Sequence, residues 1–333
     1  MNDLPPDTTM TLLDPNLSAL DARRAVEARL GAALAPLRVH DDRRRVRDLA
    51  TFLGLWAAGA AITLSAPGGL IRAAGVGVSA LALNAVVLLL HEGMHGALFR
   101  NRRLNHAVSV VLGACIGMSF TAYRTLHTLH HDALGTDDDP DDYHAYTRSP
   151  VLFWALQGVR LTLGAVLYLV AIPVVAVRRV PGVRRALAAE YAVMAALYAA
   201  AFALVPFDAL LWGWLVPLPV VAAMVQVRGL TQHGLTDRHD ALLASRTVRP
   251  SRVVAFFLLN ENYHLEHHLF PEVPSYHLPA LHRAVWPLLP RAVEGRSYLA
   301  FLGRFLRASW RLDETPVGVV APLAEAESEA RRP

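Results

Sequence analysis

The chain has 333 residues, of which 54% are hydrophobic and only 18% are charged. An ordinary soluble domain carries about 25% charged residues, so this composition excludes a typical soluble protein and favours a one-domain integral membrane protein. The net charge is +4 and every basic side chain is arginine. No basic stripe with interleaved aromatic residues is present, so nucleic-acid binding is not expected. Cys115 is the single cysteine, which excludes an intrachain disulfide and a thiolate metal cluster.

The N-terminal segment, 1–48, is polar and mixed in charge, and it lacks the early apolar core of a signal peptide. Within it, residues 16–38 have the helical spacing of leucine and alanine that is typical of a surface helix. Four arginines follow in quick succession, namely Arg43, Arg44, Arg45 and Arg47. By the positive-inside rule these arginines predict that the N-terminus is cytoplasmic.

Six apolar stretches approach the length of about 20 residues that a membrane-spanning helix needs. They are 49–66, 70–90, 106–122, 151–177, 187–205 and 208–227. The first two are expected to form a helical hairpin that turns at residues 66–69 and returns to His91. The last two are expected to form a second hairpin that turns at residues 206–208.

The stretches 106–122 and 151–177 are not expected to cross the membrane. If all the histidine clusters described below meet at one metal site, an even number of crossings must separate any two of them. We therefore predict that 106–122 is re-entrant or lies in the interface. The stretch 151–177 contains Arg160, which is unfavourable at mid-bilayer, and four arginines follow it at positions 178–185, so it is predicted to lie along the surface.

The predicted fold is therefore an all-α integral membrane protein with four transmembrane helices in two hairpins. Interfacial helices and a cytoplasmic cap that carries the histidines complete the membrane domain, at residues 49–312. Residues 313–333 are rich in Glu, Ala, Pro and Arg, a composition that predicts a disordered tail.

Nine of the fifteen histidines fall into four groups at the ends of apolar stretches. The groups are His91 and His95; His127, His130 and His131; His233; and His264, His267 and His268. Residues at i, i+3 and i+4 share one face of a helix, so each group presents its imidazoles in one direction. Nine imidazoles are too many for one ion but suit two ions, and iron, zinc, copper and nickel all accept this ligand. The isolated histidines are left out of the site, namely His40, His106, His144, His239, His277 and His282.

Two other kinds of metal protein fit the sequence less well. Glu92-x-x-His95 and Glu261-x-x-His264 match the ligand pairs of soluble ferritin-like bundles, but that site would leave the other seven grouped histidines without a role. Membrane metal transporters place ligands near the bilayer midplane in broken helices, whereas these histidines stand at helix ends. Glu92 and Glu266 are instead predicted to orient ligating imidazoles through hydrogen bonds.

The grouped histidines resemble the motifs of a known family. His91-Glu-Gly-Met-His95, His127-Thr-Leu-His130-His131 and the segment from Asn262 to Pro271 resemble the three histidine boxes of the membrane fatty acid desaturase and hydroxylase superfamily. Gln232-His233 resembles the additional histidine before the third box, and the resemblance covers residues 50–285. The run 137–141 resembles the acidic stretch of bacterial members and is equally typical of a solvated loop. Gly229 stands where some members carry a water-linked asparagine, so that outer ligand is absent or replaced.

The resemblance implies a di-iron centre that uses O2 and two electrons to break an unactivated C–H bond of an apolar substrate. Loss of a second hydrogen gives an alkene and addition of oxygen gives an alcohol, with the same ligands in both cases. The third box favours a fatty acyl or acyl-lipid desaturase of the bacterial cytoplasmic membrane. The alternative is a carotenoid or lipid hydroxylase or ketolase. Because no cytochrome b5-like, Cys-x-x-Cys or Gly-x-Gly-x-x-Gly motif is present, electrons are expected from a separate ferredoxin or cytochrome with its reductase.

Overall fold

The structure is a computed structural model that describes residues 18–65, 68–240, 242–289 and 291–316. Most of these residues are helical, and five helices are long and apolar enough to cross a membrane. Two-residue strands β1 (Thr247–Val248) and β2 (Glu294–Gly295) form one short parallel pair. The chain is therefore an all-α membrane protein. Most of the predicted disordered tail and the first seventeen residues lie outside the described residues.

The predicted first hairpin is formed by helix α2 (Asp42–Ser65) and helix α3 (Gly69–Met94). Small residues let these helices approach closely, as is common in membrane bundles. A side chain at Gly59 would meet Ser79, and one at Gly75 would meet Thr63. The apolar window of α3 is 67% buried, against 17–28% for the other four candidate spans, so α3 is the central helix of the bundle.

Two shorter helices follow where the sequence predicted a re-entrant or interfacial segment at 106–122. Helix α4 (Arg102–Cys115) and helix α5 (Phe120–Ala133) are bent by 101° relative to each other. Asn101 and Ser119 cap their first turns by accepting hydrogen bonds from backbone amides, as residues of these types commonly do. The bend permits either a broken span or a re-entrant loop.

The stretch predicted to lie along the surface is one continuous helix, α6 (Pro150–Arg179), that is long and apolar enough to span. The predicted count of four spans is therefore not confirmed by helix length and composition. Arg160 is buried within α6 rather than exposed to lipid, which removes the main sequence argument against a span. Helix α7 (Arg184–Leu204) and helix α8 (Phe207–His233) follow, and α8 contains a π-helical turn at Leu211–Leu215.

The remaining helices form a cap beside the histidine groups. They are α1 (Ala19–Leu30), α9 (Arg252–Phe257), α10 (His264–Leu269), α11 (Leu278–Val285) and α12 (Tyr298–Arg311). Helix α1 packs its buried face, which includes Val26, against Leu265, Phe270 and Leu281 of the third-box region. The predicted N-terminal surface helix therefore covers the outer side of α10.

Candidate metal centre

Four elements bring the nine predicted histidines to one place. His91 lies in the last turn of α3 and His95 is its C-terminal cap. The second box lies in the C-terminal half of α5, His233 is the last residue of α8, and His264 begins α10. Each group is thus carried by a helix end, as the sequence predicted.

Five of the imidazoles form a first group. One nitrogen from each of them lies within 4.8 Å of the nitrogens of the other four: His91, His95, His127, His131 and His267. The Nε2 atoms of His95 and His127 are 2.8 Å apart. Those of His127 and His131 are 3.1 Å apart, and those of His131 and His267 are 3.3 Å apart.

The other four imidazoles form a second group beside the first. The nitrogens of His130, His233 and His268 also lie within 4.8 Å of one another. His264 joins them because its Nε2 atom is 2.8 Å from that of His233 and 3.1 Å from that of His268. The rings of His131 and His268 are stacked with their centroids 4.2 Å apart, so the two groups are in contact.

This arrangement fits two metal ions. With metal–nitrogen bonds of about 2.1 Å, two ligands at right angles lie about 3 Å apart, close to the nitrogen separations of 2.8–3.3 Å. Burial and neighbouring imidazoles hold the pKa of His264, His267 and His268 well below the ordinary value. These rings are therefore neutral at physiological pH, which is the form that binds a metal.

The carboxyl group of Glu261 faces the Nδ1 atoms of imidazoles from both groups. Its carboxylate lies 3.2 Å from Nδ1 of His91, 3.2 Å from Nδ1 of His264 and 3.5 Å from Nδ1 of His267. It is 1% exposed, and burial raises its pKa to about 8. Of these three contacts, the one with His264 is a hydrogen bond. A carboxyl group that is hydrogen-bonded at Nδ1 fixes the ring orientation and directs Nε2 toward a metal.

The acidic run contributes a second such carboxylate. Both oxygens of Asp139 lie 2.9 Å from Nδ1 of His130, and Asp139 is 2% exposed. Asp141 accepts a hydrogen bond from the Tyr168 hydroxyl and pairs with Arg160 at 3.5 Å. Burial, the largest single effect, raises the pKa of Asp141, but the charge of Arg160, neighbouring imidazoles and the Tyr168 hydrogen bond together outweigh it, and the pKa is lowered. These two aspartates are therefore part of the site, whereas the neighbouring Asp137 is exposed.

The two glutamates singled out in the sequence contact other groups. Glu92 pairs with Arg45 and accepts a hydrogen bond from the backbone N–H of Ser275 at 3.0 Å. Glu266 accepts hydrogen bonds from Thr247 and from Nδ1 of His282. Among the described residues, the carboxylates closest to the imidazole Nδ1 atoms of the histidine boxes are those of Glu261 and Asp139. Signals for both were present in the sequence, as the i, i+3 spacing of Glu261 to His264 and as the acidic run.

Comparison with known proteins agrees with this geometry. The sequence model of a family described as fatty acid desaturase matches residues 70–300, which include all nine clustered histidines. The chain belongs to the fatty acid desaturase family. It is also 28% identical over 203 residues to a beta-carotene ketolase from Paracoccus sp. (strain N81106 / MBIC 01143). That alignment covers 58% of this chain and 72% of the ketolase.

In this family member, an apolar cavity of about 500 Å³ opens onto the histidines. Val87, Leu126 and Leu169 line it together with His91 and His264. Its volume lies within the range of about 300–1,000 Å³ that is usual for small-molecule sites. Gly229 is in its wall, and a side chain there would lie 3.1 Å from the Arg160 guanidinium, which occupies the adjacent space.

Proposed function

We propose that this desaturase-family protein binds two iron ions in its two imidazole groups and uses O2 to oxidise an unactivated C–H bond of an apolar lipid. Our leading candidate is a fatty acyl or acyl-lipid desaturase that introduces a C=C bond. The observation that carries the proposal is the contact between the apolar cavity and both imidazole groups. A hydrocarbon chain in this cavity would reach the metal site without passing through water.

The donor set supports a metal pair whose direct ligands are all imidazoles. His91, His95, His127, His131 and His267 would hold one ion, and His130, His233, His264 and His268 would hold the other. When bound, a di-iron centre supplies the activation of O2 that C–H oxidation needs. Glu261 and Asp139 keep the imidazole rings in the orientation that exposes Nε2.

The wall of the cavity controls what reaches the centre. Aliphatic side chains from α3, α6 and α8 exclude water and hold a hydrocarbon chain beside His91 and His264. Arg160 donates a hydrogen bond to the side-chain oxygen of Gln226 at 3.0 Å and forms an ion pair with Asp141, so its charge is compensated within the wall. Exclusion of water protects a reactive centre from side reactions.

Four crossings, with the histidines on the cytoplasmic side, remain our proposal for the topology. The second box and His233 belong to one cluster, so an even number of membrane crossings must separate them. At most two of the three helices α6, α7 and α8 can therefore cross the membrane. Helix α6 is the best candidate to lie along the interface. Arg160 and Tyr168 both contact Asp141, and Ile172 packs with Leu126 of α5, so α6 stays beside the second box over about 18 Å.

The electrons are proposed to come from a separate ferredoxin or cytochrome with its reductase. No redox domain is recognisable in the sequence. A cytoplasmic position of the cap in a bacterial inner membrane would allow a soluble donor to approach. The N-terminal arginines support that orientation through the positive-inside rule.

A second candidate is a carotenoid ketolase or hydroxylase on the same scaffold. The beta-carotene ketolase relative favours it, since their alignment covers most of the relative's length. The same imidazole groups and apolar cavity suit either substrate, because an acyl chain and a carotenoid are both long and apolar. The two candidates differ in the product rather than in the ligand set.

Lipid mass spectrometry distinguishes the candidates in a host that contains both acyl lipids and β-carotene. A new acyl species lighter by about two mass units indicates desaturation, and a gain of one oxygen on a carotenoid indicates a ketolase or hydroxylase. The His267→Ala variant should insert into the membrane but give neither product and contain less iron. A metal-transport defect in His267→Ala, with lipids unchanged by the wild type, would contradict the enzyme proposal.

A further inference from the structure

A second cavity, of about 470 Å³, lies on another side of the cap, between the start of α2, helix α9 and the third-box segment. We propose that it binds the headgroup of an anionic phospholipid, specifically one with a phosphate and a free hydroxyl, as in phosphatidylglycerol. This site is separate from the apolar cavity and does not depend on the proposed reaction.

The walls of this cavity are strongly basic. Arg44, Arg45, Arg249 and Arg252 line it, and Asp48 is the one acidic residue in the lining among those that the structure describes. Two of the arginines are already paired: Arg45 with Glu92 and, at 3.4 Å, with Asp48 of the lining, and Arg249 with Glu294 at 3.2 Å.

The other two arginines, Arg44 and Arg252, make no ion pair within 4.0 Å with a described residue. Both side chains are exposed at the cavity mouth. They are thus available to a phosphate, and basic pockets beside membrane helices commonly hold lipid headgroups.

Part of the remaining lining is apolar, which favours a lipid over a free phosphate. Phe52, Phe256 and Leu259 form one side of the cavity. Next to the cavity, on α9, Val253 is 67% exposed and Val254 is 40% exposed, so the described residues leave both side chains largely uncovered. Because α2 enters its apolar stretch at this level, the acyl chains of a bound lipid would cover these side chains.

Two buried polar atoms in the lining specify the headgroup further. Nε of Arg45 and Oδ1 of Asn262 are buried and lack a hydrogen-bond partner, although each residue is only 1% exposed. The Nδ2 atom of Asn262 already donates to the backbone oxygen of Val248, so its Oδ1 atom is left to accept. A phosphate oxygen would accept from Arg45, and a headgroup hydroxyl would donate to Asn262.

The test is native mass spectrometry of the purified, metal-loaded full chain in detergent with added phosphatidylglycerol, phosphatidylcholine or soluble glycerol phosphate. The Arg44→Gln/Arg252→Gln variant removes the two arginines that lack ion pairs. The Arg43→Gln/Arg47→Gln variant is the matched control, because it removes the same number of positive charges, both from α2, at residues that do not line the cavity. Since a basic residue near a lipid surface contributes about fivefold to affinity, we expect the first variant to bind phosphatidylglycerol about 30-fold more weakly.

The control should bind phosphatidylglycerol like the wild type, and phosphatidylcholine should bind weakly to all three proteins. Equal binding of both lipids, or equal loss in both double variants, would overturn the site. Glycerol phosphate that binds as tightly as the lipid would show a soluble phosphate ligand instead and overturn the lipid assignment. The single variant Arg252→Gln changes an exposed residue only and keeps the test decisive if the double variant does not fold.

Discussion

Replacement of Glu261 by glutamine tests the arrangement of the centre most directly. The amide keeps the size of the side chain but removes the carboxyl group that faces Nδ1 of His91, His264 and His267. Loss of such an outer partner typically lowers metal affinity or activity by 10–100-fold. Because three imidazoles share this one carboxylate and it is 1% exposed, we expect a loss near 100-fold.

The measurement is the number of iron ions per protein after dialysis against increasing concentrations of a chelator. Product formation is measured alongside it, in the host that contains both acyl lipids and β-carotene. Glu272→Gln is the matched control, since Glu272 pairs with Arg23 and Arg38 at the edge of the cap. The control should retain wild-type iron and activity. Wild-type iron binding in Glu261→Gln, at equal folding and membrane insertion, would refute the role that we assign to Glu261.

Three further predictions follow from the same geometry. Asp139→Asn should lower iron content about 10-fold or more, because His130 loses its charged partner; unchanged iron would exclude this role. Ala222→Phe should narrow the apolar cavity and lower product about 100-fold while iron content stays normal; loss of iron would instead indicate misfolding. Metal-free protein should lose thermal stability as the pH falls below about 6.5, because the pKa of buried His264 and His267 is lowered and the unfolded chain takes up protons there. A melting temperature that does not change between pH 8 and pH 5.5 would contradict that assignment.

The convergence of the nine histidines was predictable because helix periodicity is a local property. The i, i+3 and i+4 spacings fix which side of α5 and α10 carries imidazoles, whatever the rest of the chain does. The requirement that all groups meet at one metal site then related helix ends that are far apart in the sequence. The association with the fatty acid desaturase family was predictable for the same reason, since its motifs are these spacings.

The outer partners were less predictable because they depend on how separate segments fold against one another. Glu92 precedes a ligand by the same spacing as Glu261, yet Arg45 from α2 pairs with it while Glu261 faces three imidazoles. Glu266 lies between ligands in the sequence but is directed toward His282 of α11. Nothing local distinguishes these carboxylates, since each choice is made by a residue from another helix.

Helix α6 shows that the prediction of membrane topology is limited in the same way, because it too depends on contacts between separate segments. An arginine in an apolar stretch argues against a span when its partner is unknown, and Arg160 finds two partners, Asp141 and Gln226. Those partners also locate α6, because they tie its middle to the acidic run after the second box and to α8. The helix that is hardest to assign from sequence therefore forms one wall of the apolar cavity. Desaturation and oxygenation would share every histidine, so the choice of substrate must depend on the walls of the cavity. Those walls are the part of the site that the histidine motifs reveal least.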